Sequence, residues 1–135
     1  MSEAAKKSEA AKKPTHYRLV SALKAIGPYL REALCKEGAY HFDCLSVCVD
    51  DKKSPEDREF WGWWLDLYQD GEQFEAVYQI GLYDQAGVWK TEVAPAAAVD
   101  EITRTQEIFH QKLVEVLQSK FDFQVVVGEQ SAEFV

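Results

Sequence analysis

The hydrophobic positions of this chain change period twice. After Thr15 they recur at helical spacing, with Leu19, Leu23 and Ile26 at i, i+4 and i+7. Thr15 suits the N-cap, and Gly27 with Pro28 suits the stop. Residues 29–32 read as a turn or a short second helical piece. Residues 39–50 are rich in aromatic and β-branched types, apolar on both faces, and read as a strand opened by Gly38. A charged loop follows at 51–57, D-K-K-S-P-E-D. Residues 58–67, R-E-F-W-G-W-W-L-D-L, then alternate in a way that leaves no polar face. Trp61, Trp63, Leu65 and Leu67 share one side, and Phe60, Gly62 and Trp64 share the other. Such a strand is either buried on both sides or keeps one side for a partner.

Asp70 and Gly71 signal a tight turn into residues 73–83. There Phe74, Ala76, Tyr78, Ile80 and Leu82 point one way and Gln73, Glu75 and Gln79 the other, the pattern of a strand with one wet face. A hairpin turn at 84–87 leads to a short strand at 88–93, with Trp89 inward or at an edge, and Pro95 ends it. The period returns to helical from about 97 to 120 through Val99, Ile102, Phe109, Leu113, Val116 and Leu117. Residues 121–127 read as a last short strand. The short links imply an antiparallel meander of four to five strands, with an N-terminal helix and a long C-terminal helix packed against it: an α+β fold. The domain spans 15–127, between a charged N-terminal arm at 1–14 and a tail at 128–135. The arm holds S-E-A-A-K-K twice, marginal as an isolated helix.

Composition narrows the function more than it does the fold. Hydrophobic content of 47% suits a globular domain, and no apolar run approaches the roughly 20 residues of a membrane span. A soluble, cytoplasmic protein is the expectation. The net charge is −8, and residues 1–14 carry four Lys and two Glu, so the remainder carries −10. Phosphate backbones repel such a domain, which disfavours direct nucleic-acid binding and favours a basic protein partner. Cys35, Cys44 and Cys48 are odd in number, and Cys44 and Cys48 lie too far apart on an extended strand for a disulfide. With His41 they lack the paired spacing of a zinc knuckle, so neither a metal nor a cofactor is expected. His41 and Asp43 lie on the strand face opposite Cys44, which argues against a Cys–His nucleophile. His16 and His110 read as surface residues. Arg58, opening the aromatic strand of an acidic protein, could clasp a carboxylate through two parallel hydrogen bonds. Arginine and tryptophan together suit a protein interface. Lining of an apolar pocket for a small ligand is the competing reading.

Four stretches carry a resemblance. G-P-Y-L-R-E at 27–32, F-D-C-L-S-V-C-V-D at 42–50, R-E-F-W-G-W-W-L-D-L at 58–67 and Y-Q-I-G-L-Y-D-x-A-G-x-W-K at 78–90 resemble the Crl family, collinearly from about residue 15 to 120. A monomer is expected, and the resemblance implies an α+β domain without catalytic activity or DNA binding of its own that binds the second conserved domain of the stationary-phase sigma factor. It further implies assembly of that factor with core RNA polymerase, in part through the β′ subunit, and raised transcription of stationary-phase and stress genes. The sigma contacts it implies are Tyr29, Arg58, Phe60 and Trp63, with Arg58 meeting an Asp-Pro-Glu segment of the sigma factor. Trp61 and Trp64 are assigned to the core. Phe60 and Trp63 fall on opposite faces, so a shared patch would require the strand to begin after Phe60 or to bulge at Gly62. The arm looks like an extension before the usual family start, and the tail is poorly covered.

Overall fold

The computed structural model describes residues 14–129 and residue 131. Helix α1, His16–Lys24, starts where the Thr15 hydroxyl accepts the Arg18 N–H at 3.2 Å. It buries Leu19, Val20, Ala22 and Leu23. Tyr29 lies in a turn with Pro28, as expected, and Leu30 then forms an antiparallel bridge with Phe42. Arg31 N–H donates to His41 O and Asp43 N–H donates to Tyr29 O, each at 2.9 Å. This short segment therefore covers the edge of strand β1, Ala39–Cys48, before a single 3-10 turn at Glu32–Leu34.

Strands β2, Phe60–Asp70, β3, Gln73–Tyr83, and β4, Trp89–Thr91, complete the expected antiparallel meander. Gly71 takes the left-handed conformation (φ 63°) that the β2–β3 turn requires. Helix α2, Ala96–Phe121, ends with Asp122 in the left-handed region and carries the chain back across the sheet. The last strand, β5, Gln124–Val127, consequently joins beside β3 in the parallel sense. A hairpin cannot make that pairing, but a 26-residue helical crossover can. β4 and β5 share one edge of β3, at Gly81–Tyr83 and Gln73–Ala76 respectively. The tail continues along this edge: Gly128 N–H donates to Ala76 O at 2.9 Å, and Tyr78 N–H donates to the Ser131 hydroxyl at 2.8 Å. The duplicated hexapeptide lies outside the described residues.

Both helices contribute to one core on a single face of the sheet. From that inner face Tyr40, Phe42, Trp63, Leu65, Leu67, Phe74, Ala76 and Tyr78 are fully buried. The facing stripe of α2 is Ala98, Ile102, Gln106, Phe109, Leu113, Leu117 and Phe121. Val99, expected in this stripe, is 42% exposed, because helical geometry gives its place to Ala98. Gln106 occupies a core position that the apolar pattern did not mark. His110 is not a surface residue either: its Nδ1 bonds the Tyr78 hydroxyl at 2.8 Å, and its ring packs edge-on to Tyr78. His16 stacks on Tyr40.

The bulge falls in a different strand from the one expected. The register slips between Leu45 and Val47, making Ser46 the extra residue of β1, while Gly62 remains in regular register with Gly81. Gly62 is needed for close approach instead. A Cβ there would lie 2.0 Å from the Cys44 carbonyl oxygen and 3.1 Å from a ring carbon of Trp89.

Candidate functional site

The four residues expected to share a contact surface are divided by the sheet. Phe60 begins β2 and points to the outer face, and Trp63 points to the inner one. Neither expected escape occurs, since the strand includes Phe60 and the bulge lies elsewhere. Trp63 has 0% of its surface exposed. Its ring lies 4.9 Å from Phe109, 5.6 Å from Tyr78 and 6.0 Å from Tyr29. A direct contact from Trp63 is therefore not available in this structure, because Phe109, Tyr78 and Tyr29 close over it.

Tyr29 forms the accessible part of this inner-face cluster. It is half-buried, packed edge-on against Phe109 at 5.2 Å, and its ring rests against the bare Cα of Gly27. Beneath it runs a polar seam. Trp63 Nε1–H donates to Thr105 Oγ1 at 3.2 Å, Ser46 Oγ lies 2.8 Å from the same oxygen, and Thr105 donates to Ile102 O at 2.9 Å. Burial pushes the adjacent Cys44 thiol above its ordinary pKa, the opposite of an activated nucleophile. His41 bonds Asp66 on the other face. The space a small ligand would need between aromatic strand and helix is filled by Trp63, Phe109 and Tyr78.

Arg58 stands where the loop before β2 ends. Residues 51–57 are closed by Lys52 N–H on Asp50 Oδ1 at 3.0 Å and by a 3-10 turn at Pro55–Asp57. Arg58 Nε–H donates to Lys53 O and its Nη2–H to Asp51 O, each at 2.9 Å. Two of its five donors thus fasten the loop backbone and orient the guanidinium. The side chain is half-exposed, and Phe60 follows two residues on. By register Phe60 pairs with Cys48, whereas the Tyr29 segment bonds at Asp43, further along β1.

The outer face carries a cluster that the alternation did not isolate. Trp64, assigned to the core, is half-buried there at 4.8 Å from Trp89, which is itself 5.2 Å from Tyr83. Trp89 does not turn inward. It lies across the sheet over Gly62, and its Nε1–H donates to Asp43 Oδ2 at 3.2 Å. Asp43, 7% exposed, also receives the Arg31 guanidinium on Oδ1. The paired glycines of β2 and β3 were the available signal, because a ring can lie flat only where side chains are missing.

No group of three or more residues able to hold a metal occurs among the described residues, and no helix there is long and apolar enough to cross a membrane. A family model described as "Sigma factor-binding transcriptional regulator Crl" matches residues 6–135, so the match includes the tail and begins inside the arm. Curated relatives carry the name "Sigma factor-binding protein Crl". The one from Vibrio cholerae is 54% identical over 127 residues, covering 94% of this chain and 98% of its own. That from Vibrio vulnificus is 52% identical over 128 residues, covering 95% and 99%. The Photobacterium profundum relative is 46% identical over 100 residues, covering 74% and 75%.

Proposed function

This chain belongs to the Crl family of sigma factor-binding transcriptional regulators, and on that premise we propose that it binds the stationary-phase sigma factor of RNA polymerase through that factor's second conserved domain. Arg58 carries the reading. It is a half-exposed arginine in a chain of net charge −8, held by two loop carbonyls rather than by a carboxylate. A guanidinium so oriented is ready for a bidentate bond to an acidic segment of the partner. Phe60 and Tyr29 supply aromatic contact, and Trp63 acts from beneath Tyr29 as its support.

The proposed mechanism is assembly by differential binding. Holding the sigma domain in its polymerase-competent form raises its apparent affinity for core enzyme, with a bridge to the β′ subunit adding to the effect. Each factor of ten corresponds to about 1.4 kcal/mol of coupling. Transcription from promoters of that sigma factor rises, and neither catalysis nor direct DNA contact by this chain is involved.

The test is binding of the purified chain to the stationary-phase sigma factor, with the housekeeping factor as control. Selective binding that Arg58→Ala weakens at least tenfold, while the unfolding midpoint is unchanged, supports the reading. Equal binding to both factors, or full binding by the variant, removes it.

A further inference from the structure

We propose that Thr105 is a positioning residue for the partner-binding surface, locking the Trp63 indole that supports Tyr29; the partner half of this inference rests on the sigma-binding reading above. A threonine hydroxyl has one hydrogen and two acceptor lone pairs. Thr105 spends its hydrogen on Ile102 O at 2.9 Å, within its own helix. Both remaining contacts must then be accepted: Trp63 Nε1–H at 3.2 Å and the Ser46 hydroxyl at 2.8 Å. The Ser46 hydroxyl also lies 3.6 Å from the Cys44 sulfur, a second acceptor for the same hydrogen. Thr105 is thus the shared acceptor of the seam.

The geometry explains the β1 bulge. Ser46 is the residue inserted between Leu45 and Val47, and it is this insertion that faces Thr105. One hydroxyl thus ties helix α2 to two strands, to β2 through the indole and to β1 through the bulge. The indole could slide or tilt within an apolar pocket lined by Tyr78, Phe109 and Tyr29 without a directional bond, because ring packing is tolerant of angle. The hydrogen bond removes that freedom. Tyr29, 6.0 Å from Trp63 and half-buried, is the accessible ring whose position depends on it.

The experiment compares Thr105→Val, which keeps shape and removes the acceptor, with Thr105→Ser, which keeps the acceptor. Nitrogen-15 labelling of tryptophan yields one indole N–H signal for each of the four tryptophans, and Trp63→Phe identifies the relevant one. The expected result is a Trp63 signal shifted and less protected from exchange in Thr105→Val, native-like in Thr105→Ser. Sigma-factor affinity should fall about tenfold in the valine variant, the order of one unmade hydrogen bond, and recover within about twofold in the serine variant. Should Thr105→Val fail to fold, Ser46→Ala, which deletes only the bulge contact, is expected to give a smaller change in the same signal and in affinity. An unmoved Trp63 signal overturns the lock. A shifted signal with unchanged affinity overturns the positioning role. Absence of binding by the unmodified chain fails the sigma-binding reading instead, with the indole signal still deciding the lock.

Discussion

Trp63 and Trp64 are neighbours in sequence with the same side chain, and the sheet gives them opposite fates. Trp63 belongs to a face on which β2 presents Leu65 and Leu67 beside it, closed by two helices to 0% exposure. Trp64 belongs to a face that carries no helix among the described residues, where it rests half-buried against Trp89 and its neighbours across the ladder are Asp43 and Gln79. The inner face is held by volume: rings and branched chains interlock, and nearly every atom has partners. The outer cluster is held by direction, through one indole–carboxylate bond over a glycine floor. An aromatic residue can therefore be indispensable on one side and adjustable on the other.

Alanine at each position is the strongest way to break this contrast. Trp63→Ala should cost about 3–5 kcal/mol, the range for emptying a fully packed aromatic site. Trp64→Ala should cost roughly 1–2 kcal/mol, from a half-buried ring and one aromatic pair. Urea unfolding followed by circular dichroism measures both. Equal costs would mean that the outer cluster is a second core.

Much of the architecture could be read from period alone. The alternation that groups Trp63 with Leu65 and Leu67 already indicates the inner face, and the boundaries of β3 match the alternating stretch at 73–83. The helical stripe places α2 to within a residue at each end of the expected 97–120. What period cannot show is where long-range partners stand. Asp43 looks like any polar residue of an alternating strand until Arg31 and Trp89 meet it from two other segments. The Ser46 bulge bonds a hydroxyl 59 positions away in sequence, and the parallel seat of β5 follows from where a long helix sets the chain down. The candidate site was legible as residue types, chiefly Arg58 and the aromatic strand. It was not legible as a surface, because motif spacing does not record which face a side chain takes.

A smaller and more local disturbance is Gly62→Ala. The added methyl would stand 2.0 Å from the Cys44 carbonyl oxygen, a backbone atom that cannot turn aside, and 3.1 Å from Trp89. Separation of β1 from β2 is the expected response, at about 1–3 kcal/mol as for other overpacked sites. Trp89 should also lift from the sheet. Hydrogen exchange should show lost protection at Gly62 and its partner Leu45, with the far end of the ladder near Leu67 unaffected. If stability falls while Trp89 fluorescence stays native, the glycine serves the strand pairing alone and does not form a floor for the ring.

The smallest expected effect probes how dry the inner face is. His110 bonds the Tyr78 hydroxyl at 2.8 Å, and burial holds its pKa below the ordinary 6.5. The Tyr78 hydroxyl is pushed upward by the same cause, so both groups are kept neutral. Above pH 6.5 the imidazole is uncharged in folded and unfolded chains alike, and it adds no pH dependence. As pH falls below 6.5 the unfolded chain takes up a proton that the folded chain resists, so stability declines until the folded pKa is reached. One such group contributes a slope of at most about 1.4 kcal/mol per pH unit. His110→Gln retains a polar side chain at this position but cannot titrate. Urea unfolding at pH 8 and pH 5.5 should therefore show a smaller loss on acidification in the variant than in the unmodified chain, by up to that slope. An identical loss in both would mean the imidazole is protonated as easily inside as outside. In that case water reaches the seam between Tyr78 and α2, and the inner face is less sealed than the packing of Trp63 implies.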